Sequence, residues 1–126
     1  MKEVMAVVRM NKINETKKAL IDAGISSMTA FECLGRGKGL VSMELLKGAQ
    51  EGHEEAIAQL GQSDLLRPKR ALFVVVPDKL VQKTVDAIIK ANQTGQPGDG
   101  KIWVQPTENS ISVRTSESGD AVLDKF

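Results

Sequence analysis

An α+β sandwich of four antiparallel strands backed by two helices is what the sequence predicts, and two observations point to it. The first is a weak internal repeat. Val7-Val8 followed by Asn11-Lys12-Ile13 returns as Val74-Val75 followed by Asp78-Lys79-Leu80, with the same offset in both copies. Each copy reads strand, helix, strand, and two such units in one short chain fit the ferredoxin-like split βαβ (double βαβ) arrangement. The second is that the strongest strand is apolar in both parities: Val74 and Val76 point one way, Phe73 and Val75 the other. Two helices cover only one face of such a sheet. The second face needs another cover, which predicts an oligomer.

Composition bounds the rest. At 126 residues the chain makes one domain with a real core. Its 41% hydrophobic and 26% charged content is that of a soluble globular protein. A formal net charge of +1 carries no electrostatic footprint for nucleic acid or a membrane surface. Three Phe, one Trp and no Tyr leave little for stacking single-stranded bases. The single Cys33 excludes an internal disulfide and fits a reducing compartment. Met-Lys-Glu-Val opens directly into a strand, without the apolar core of a signal peptide, and no apolar run reaches about 18 residues. A cytoplasmic domain is expected, with neither nucleic acid nor membrane as partner.

The elements follow in order. Val4-Met5-Ala6-Val7-Val8, an apolar run between charges, signals a buried strand. Asn11 offers a cap to a helix in which Ile13, Thr16, Leu20 and Ala23 recur at helical spacing, and Gly24 stands where a C′ glycine belongs. Ile25 to Leu34 has no helical period and reads as the second strand. From Gly35 the chain is basic and irregular to about Pro68, with one short helix expected over Glu54 to Leu60. Arg70 to Val76 is the third strand, and Pro77-Asp78 supply a turn and an N-cap. Leu80, Val81, Thr84, Val85, Ile88 and Ile89 form the broad apolar face of a helix packed on a sheet. Ile102 to Gln105 and Ile111 to Val113 read as short strands, and the polar stretch from Thr115 to Phe126 as a mobile tail.

Two glycine-rich loops carry the candidate chemistry. In Thr94-Gly95-Gln96-Pro97-Gly98-Asp99-Gly100-Lys101, three glycines free the backbone for positive φ, so successive N–H groups can converge on an anion, and a lysine follows at once. The spacing Gly95 to Lys101 imitates a P-loop. Ile102 stands where Ser or Thr would hold Mg²⁺, however, and the loop leads from helix to strand, the reverse of P-loop order. Composition alone favours an ordinary connection with a glycine cap. Gly35-Arg36-Gly37-Lys38-Gly39, alone, is a flexible basic loop. Paired with the other it is more telling, because a triphosphate needs several N–H donors and two or three cations, here Arg36, Lys38, Lys101 and Arg114. Lys69, at the mouth of the strongest strand, reads either as a solvated strand-end lysine or as a grip for a carboxylate. Cys33 reads as a small buried hydrophobe. His53 has no Asp or Cys at ligand spacing, and no nucleophile–base set can be assembled, so no catalytic residue and no protein metal site is expected.

The string Thr94, three residues, then Gly98-Asp99-Gly100-Lys101-Ile102-Trp103-Val104 resembles the carboxy-terminal signature of the PII signal-transduction family, the GlnB/GlnK-like nitrogen regulators. Arg114-Thr115 extends the match. Val7-Val8-Arg9, Ala23-Gly24-Ile25 with Met28-Thr29, Gly35-x-Gly37 and Pro68-Lys69 carry it across nearly the whole chain. The resemblance implies a domain over residues 1–114 with a long T-loop at about 36–67, and a tail over 115–126. It implies a trimer binding ATP or ADP in clefts between subunits, and 2-oxoglutarate through Mg²⁺-ATP. Phosphates would lie on Gly37, Lys38, Gly98, Gly100, Lys101 and a neighbouring subunit's Arg114. Val7, Thr29 and Val75 would flank the adenosine, and Lys69 would grip 2-oxoglutarate. Gly35, Arg36 and Asp99, from the same two motifs, complete the expected cofactor-binding set.

The departures from the family pattern are informative. With no Tyr, uridylylation of the T-loop is out. Gly39 replaces the glutamine that helps complete the Mg²⁺–2-oxoglutarate site, and Ser112 replaces the first arginine of Arg-x-Arg. Gly-Arg-Gly-Lys with an extended loop is most similar to the NifI branch, and Gly-Leu-Val-Ser-Met-Glu to its longer type. That likeness implies a non-enzymatic regulator, a homotrimer or a hetero-oligomer with a sister NifI-type chain, that binds dinitrogenase until 2-oxoglutarate releases it. A regulator of an ammonium transporter or glutamine synthetase, a small enzyme acting on a phosphorylated substrate, and a plain trimeric assembly module are the alternatives.

Overall fold

A computed structural model of the chain describes residues 1–37, 52 and 66–124. The chain divides into two compact units, residues 1–33 with 69–126, and residues 34–68. In chain order the elements are β1 (Lys2–Val8), α1 (Ile13–Asp22), β2 (Thr29–Gly35), β3 (Arg67–Val76), α2 (Val81–Asn92) and β4 (Lys101–Pro106). They form one sheet in the order β2-β3-β1-β4, with β1 antiparallel to both neighbours. This is the double βαβ, ferredoxin-like fold that the repeat predicts.

The core lies between the sheet and the helices. Strand alternation puts Val4, Ala6 and Val8 of β1 on the helix side, all at most 2% exposed. In register with them stand Val74 and Leu72 of β3, and Val104 and Ile102 of β4. Leu20 of α1 and Ile88 of α2 close on that face, with Ile25 and Leu80 filling its ends. One buried polar chain ties the helices together. Asn92 Nδ2 donates to Thr16 Oγ1 (2.9 Å) and to the Ile88 carbonyl (2.9 Å), while the Thr16 hydroxyl donates back to the Lys12 carbonyl (2.7 Å).

Gly24 ends α1 as expected. Its φ of 86° lets its N–H reach the Ile21 carbonyl while the Ile25 N–H reaches that of Leu20, a Schellman arrangement that satisfies the last carbonyls. The helix starts differ from the sequence reading. Neither Asn11 nor Asp78 caps with its side chain, because each helix is entered through a 3-10 turn, Met10–Lys12 and Asp78–Leu80. Asp78 instead lies 3.1 Å from the Met1 nitrogen.

Several boundaries also shift. β2 begins at Thr29 rather than Ile25, which is a core plug at 1% exposure, and β3 begins at Arg67. Cys33 is half-buried rather than buried. Ile111 to Val113 is no strand, since Ile111 makes only an isolated bridge to Ser118. The tail read as mobile is tethered: Asp124 accepts from the Ser26 hydroxyl (2.9 Å) and the Ser27 amide (3.1 Å). The helix expected at Glu54–Leu60, with His53, lies outside the described residues.

The opposite sheet face is apolar, as the two parities predict. Met5 stands in register with Phe73 and Trp103, and Phe31 meets Phe73 edge to face at 6.4 Å between ring centres. Phe31 and Trp103 remain 42% and 39% exposed. Among the described residues no helix is long and apolar enough to cross a membrane.

The interhelix polar link gives a stability test. Thr16→Val keeps the shape but removes the hydroxyl that accepts from Asn92, whose Oδ1 already lacks a partner among the described residues. The variant is expected to lose about 1–2 kcal/mol in urea denaturation.

Candidate functional site

The antiparallel pairing of β1 with β4 builds the site. Val7 is in register with Lys101, so the residues just past the end of β1 meet those just before the start of β4. Those are Arg9 and the loop Thr94–Gly100. The approach is close enough to dictate residue type. A Cβ on Gly100, whose φ is 119°, would sit 2.2 Å from the Val7 carbonyl oxygen, a distance that requires the backbone to move. Gly98, at φ 96°, has the Arg9 guanidinium 3.3 Å from where its Cβ would be.

Asp99 organises the loop from within. Its Oδ2 accepts from the amides of Thr94 (2.7 Å) and Gly95 (2.9 Å), and its Oδ1 accepts from the Thr94 hydroxyl and from Arg9 Nη1 (2.6 Å). Arg9 Nη2 donates to the Pro97 carbonyl (2.9 Å) and Lys69 Nζ to the Gly98 carbonyl (3.4 Å). The Thr94 hydroxyl, then its amide, the Arg9 guanidinium and the Gly95 amide together hold the Asp99 carboxyl far below the usual carboxylate range. Its side chain is 23% exposed, so these bonds are only partly solvated.

The same bonds orient the peptide planes. In a trans peptide the C=O and the following N–H point in opposite directions. With the Pro97 carbonyl on Arg9 and the Gly98 carbonyl on Lys69, the N–H groups of Gly98 and Asp99 are turned away from those cations. Pro97 and Gly98 form a tight turn that directs the Asp99 amide back toward the Gln96 carbonyl, while the Gly98 amide meets no acceptor among the described residues. Lys69 and Lys101 have no carboxylate within ion-pair distance among the described residues. A free Gly98 amide in a glycine loop, with Lys69 on the loop and Lys101 opening the next strand, is compatible with an anion.

Of the residues singled out from sequence, the structure brings together Val7, Lys69, Gly98, Asp99, Gly100 and Lys101. Val75 lies on β3 in register with Glu3, and Thr29 opens β2. Arg114 sits in an exposed turn closed by the Ser116 amide on the Ser112 carbonyl, and makes no hydrogen bond to the loop. Gly35 ends β2, followed by Arg36 and Gly37. Lys38 and Gly39 lie outside the described residues. Sequence reasoning gave Arg9 no role and left Thr94 out of the site. The predicted topology held the missing signal, since a split βαβ sheet places the end of its first strand beside the start of its last.

A double βαβ sheet with a glycine-rich loop between its second helix and last strand defines a class of small α+β domains. The family described as Nitrogen regulatory protein P-II matches residues 1–117, and the chain belongs to that family. It is 43% identical to the nitrogen fixation nifHD region GlnB-like protein 2 of Methanobacterium ivanovii, over 98% of this chain and all of that one. The protein of the same description from Methanococcus maripaludis is 42% identical over the same shares. A nitrogen regulatory protein P-II of Haemophilus influenzae is 39% identical, again over 98% of this chain and all of the relative. The resemblance read from the glycine loop is therefore to the right family.

Two outcomes test this geometry. Gly100→Ala must displace the β1–β4 pairing and is expected to lose roughly 2–4 kcal/mol in urea denaturation. The second concerns pH. An ordinary aspartate titrates near about 4, and Asp99 titrates lower when folded, so the unfolded chain takes up the proton first as pH falls. Its contribution is fully present above about pH 4 and is lost below it as pH falls toward the folded value. Asp99→Asn is expected to flatten the acid limb of a Tm-against-pH curve between about pH 5 and pH 2.

Proposed function

We propose that this chain is a PII-type regulator that senses ATP or ADP and 2-oxoglutarate and controls nitrogenase by direct binding to the dinitrogenase component through the 36–67 loop. The observation that supports the nucleotide half is the Pro97–Gly98 peptide plane, turned by Arg9 so that the Gly98 amide is left without an acceptor among the described residues, in a loop that Lys69 touches and Lys101 follows. Gly98, Gly100 and Lys101, with Gly35, Arg36, Gly37 and Lys38 and a neighbouring subunit's Arg114, would hold the phosphates. Val7, Thr29 and Val75 would flank the adenosine, and Lys69 would take a carboxylate of 2-oxoglutarate. The nucleotide would bring its own Mg²⁺, which supplies charge neutralisation and a coordination point for the second ligand. The half-exposed Phe31 and Trp103 face supports a trimer, either of this chain alone or with a sister chain. The nifHD region descriptions of the methanogen relatives support nitrogenase as the regulated system.

The mechanism is linkage rather than turnover. Ligands that bind one state of the 36–67 loop preferentially draw the population from the target-binding state. A regulator of an ammonium transporter or glutamine synthetase is the second reading, supported by the comparable identity to the Haemophilus protein, whose description mentions no nitrogen fixation.

Calorimetric titration decides the ligand half. 2-Oxoglutarate is expected to bind only when Mg²⁺-ATP is present. Binding of ATP without 2-oxoglutarate reduces the protein to a nucleotide sensor, and binding of neither overturns the reading. For the target half, co-elution with purified dinitrogenase in gel filtration, abolished by added Mg²⁺-ATP and 2-oxoglutarate, is the expected result. No co-elution under any ligand condition favours the second reading.

A further inference from the structure

Arg9 lies outside the two glycine-rich motifs, yet it makes two bonds that span the turn at Gly98. Nη1 reaches Asp99 Oδ1 at 2.6 Å and Nη2 reaches the Pro97 carbonyl at 2.9 Å, so one planar guanidinium bridges the residues on either side of Gly98. The Arg9 side chain is 26% exposed and that of Asp99 23%, so both partners are largely withdrawn from water. Gly98 has no side chain to block this, and a Cβ there would crowd the guanidinium. Asp99 in turn spends its remaining lone pairs on Thr94 and Gly95, the residues that open the loop.

We infer that Arg9 is a positioning residue for the phosphate-binding loop. It fixes the Pro97–Gly98 peptide plane and the Asp99 carboxylate, so that the Gly98 amide is already set for an incoming phosphate before any ligand arrives. This rests on the nucleotide reading above and adds to it a residue that acts through the loop rather than on the ligand. A planar two-donor group is needed because the two acceptors, a carbonyl and a carboxylate, must be held together. A lysine offers a point charge and cannot set the plane between them. The charge of Arg9 is already spent on Asp99, so the pair adds little net field at the loop, and its effect on ligand is geometric.

The test compares ATP and adenosine binding by calorimetry for wild-type protein and for Arg9→Gln, Arg9→Lys, Asp99→Asn and the Arg9→Gln/Asp99→Asn double variant. Amide exchange at Thr94 and Gly95 is measured in the ligand-free proteins. Positioning predicts that Arg9→Gln and Asp99→Asn each weaken ATP on the order of tenfold, and that the double variant is no worse than the singles. Adenosine, which has no phosphate to meet the loop, keeps its affinity. Arg9→Lys falls between wild type and Arg9→Gln, and exchange at Thr94 and Gly95 quickens in Arg9→Gln without ligand.

If Arg9 instead met the phosphate directly as a cation, Asp99→Asn would free it and ATP would bind as well or more tightly. That result overturns the inference while leaving the nucleotide reading intact, as does unchanged ATP affinity in Arg9→Gln. Equal loss of ATP and adenosine in both Arg9→Gln and Arg9→Lys marks a folding role and also overturns it. Wild-type protein that binds no ATP removes the nucleotide reading and the inference with it.

Discussion

Everything in this domain hangs on the two-sided pairing of one short strand. β1 is hydrogen-bonded to β3 on one edge and to β4 on the other, and its alternate residues Val4, Ala6 and Val8 are fully buried beneath the helices. A strand held on both edges and one face has no freedom to slip, because a one-residue shift would send all three side chains to the wrong side of the sheet. That register puts Val7 opposite Lys101 and leaves the backbone at Gly100 almost in contact with the Val7 carbonyl. The core and the site are therefore set by the same pairing. A change that loosened the β1–β4 register would lose the loop before it lost the fold, since β1–β3 and the helices could still bury most of the apolar surface.

The loop is held by polar bonds where the rest of the domain is held by apolar packing. Thr94 to Gly100 has no side chain in the core cluster, and three of its glycines have positive φ, a conformation with a large entropy to overcome. The Asp99 carboxylate offsets that entropy by accepting four donors at once. Concentrating so much on one carboxylate has a consequence for charge. If the loop takes anions, as the proposed function has it, a bare aspartate charge there would repel them. Arg9 and the surrounding N–H groups neutralise it locally, so that an acid can organise such a loop.

Most of the fold was legible because it rests on short-range patterns. The repeat of Val-Val and a helix start, the C′ glycine at position 24 and the continuous apolar run Ala71–Val76 each encode one element, and all three stand in the structure. The errors fall where a local signal lost to a tertiary partner. Asp78 looked like an N-cap and instead lies beside the Met1 nitrogen, and Ile25 looked like a strand residue and is a plug under the helices. Asp124 sits in a stretch too polar to predict as ordered, and only its distant partners Ser26 and Ser27 tether it. In the site, the glycines and Lys101 announced themselves by spacing. Arg9 did not, because its partners are some ninety positions away and nothing in Val7-Val8-Arg9 marks a strand-end arginine as special.

A loop already formed without ligand limits where switching can occur. A ligand shifts an equilibrium only through states that it binds unequally, and a segment with one arrangement offers no second state to select. In the proposed function, with the Pro97–Gly98 plane set by Arg9, phosphate contacts at this loop would add affinity for the nucleotide but carry no information to a distant surface. Under that proposal, discrimination between nucleotides and its transmission to a partner would come from groups whose position differs between states. In the proposed function those belong to the 36–67 loop and the subunit boundary. Lys69 touches the glycine loop through the Gly98 carbonyl and stands on β3 close to where that strand begins. In the proposed function a preformed loop and a switch elsewhere are two halves of one design, with binding energy gathered at the first and spent at the second.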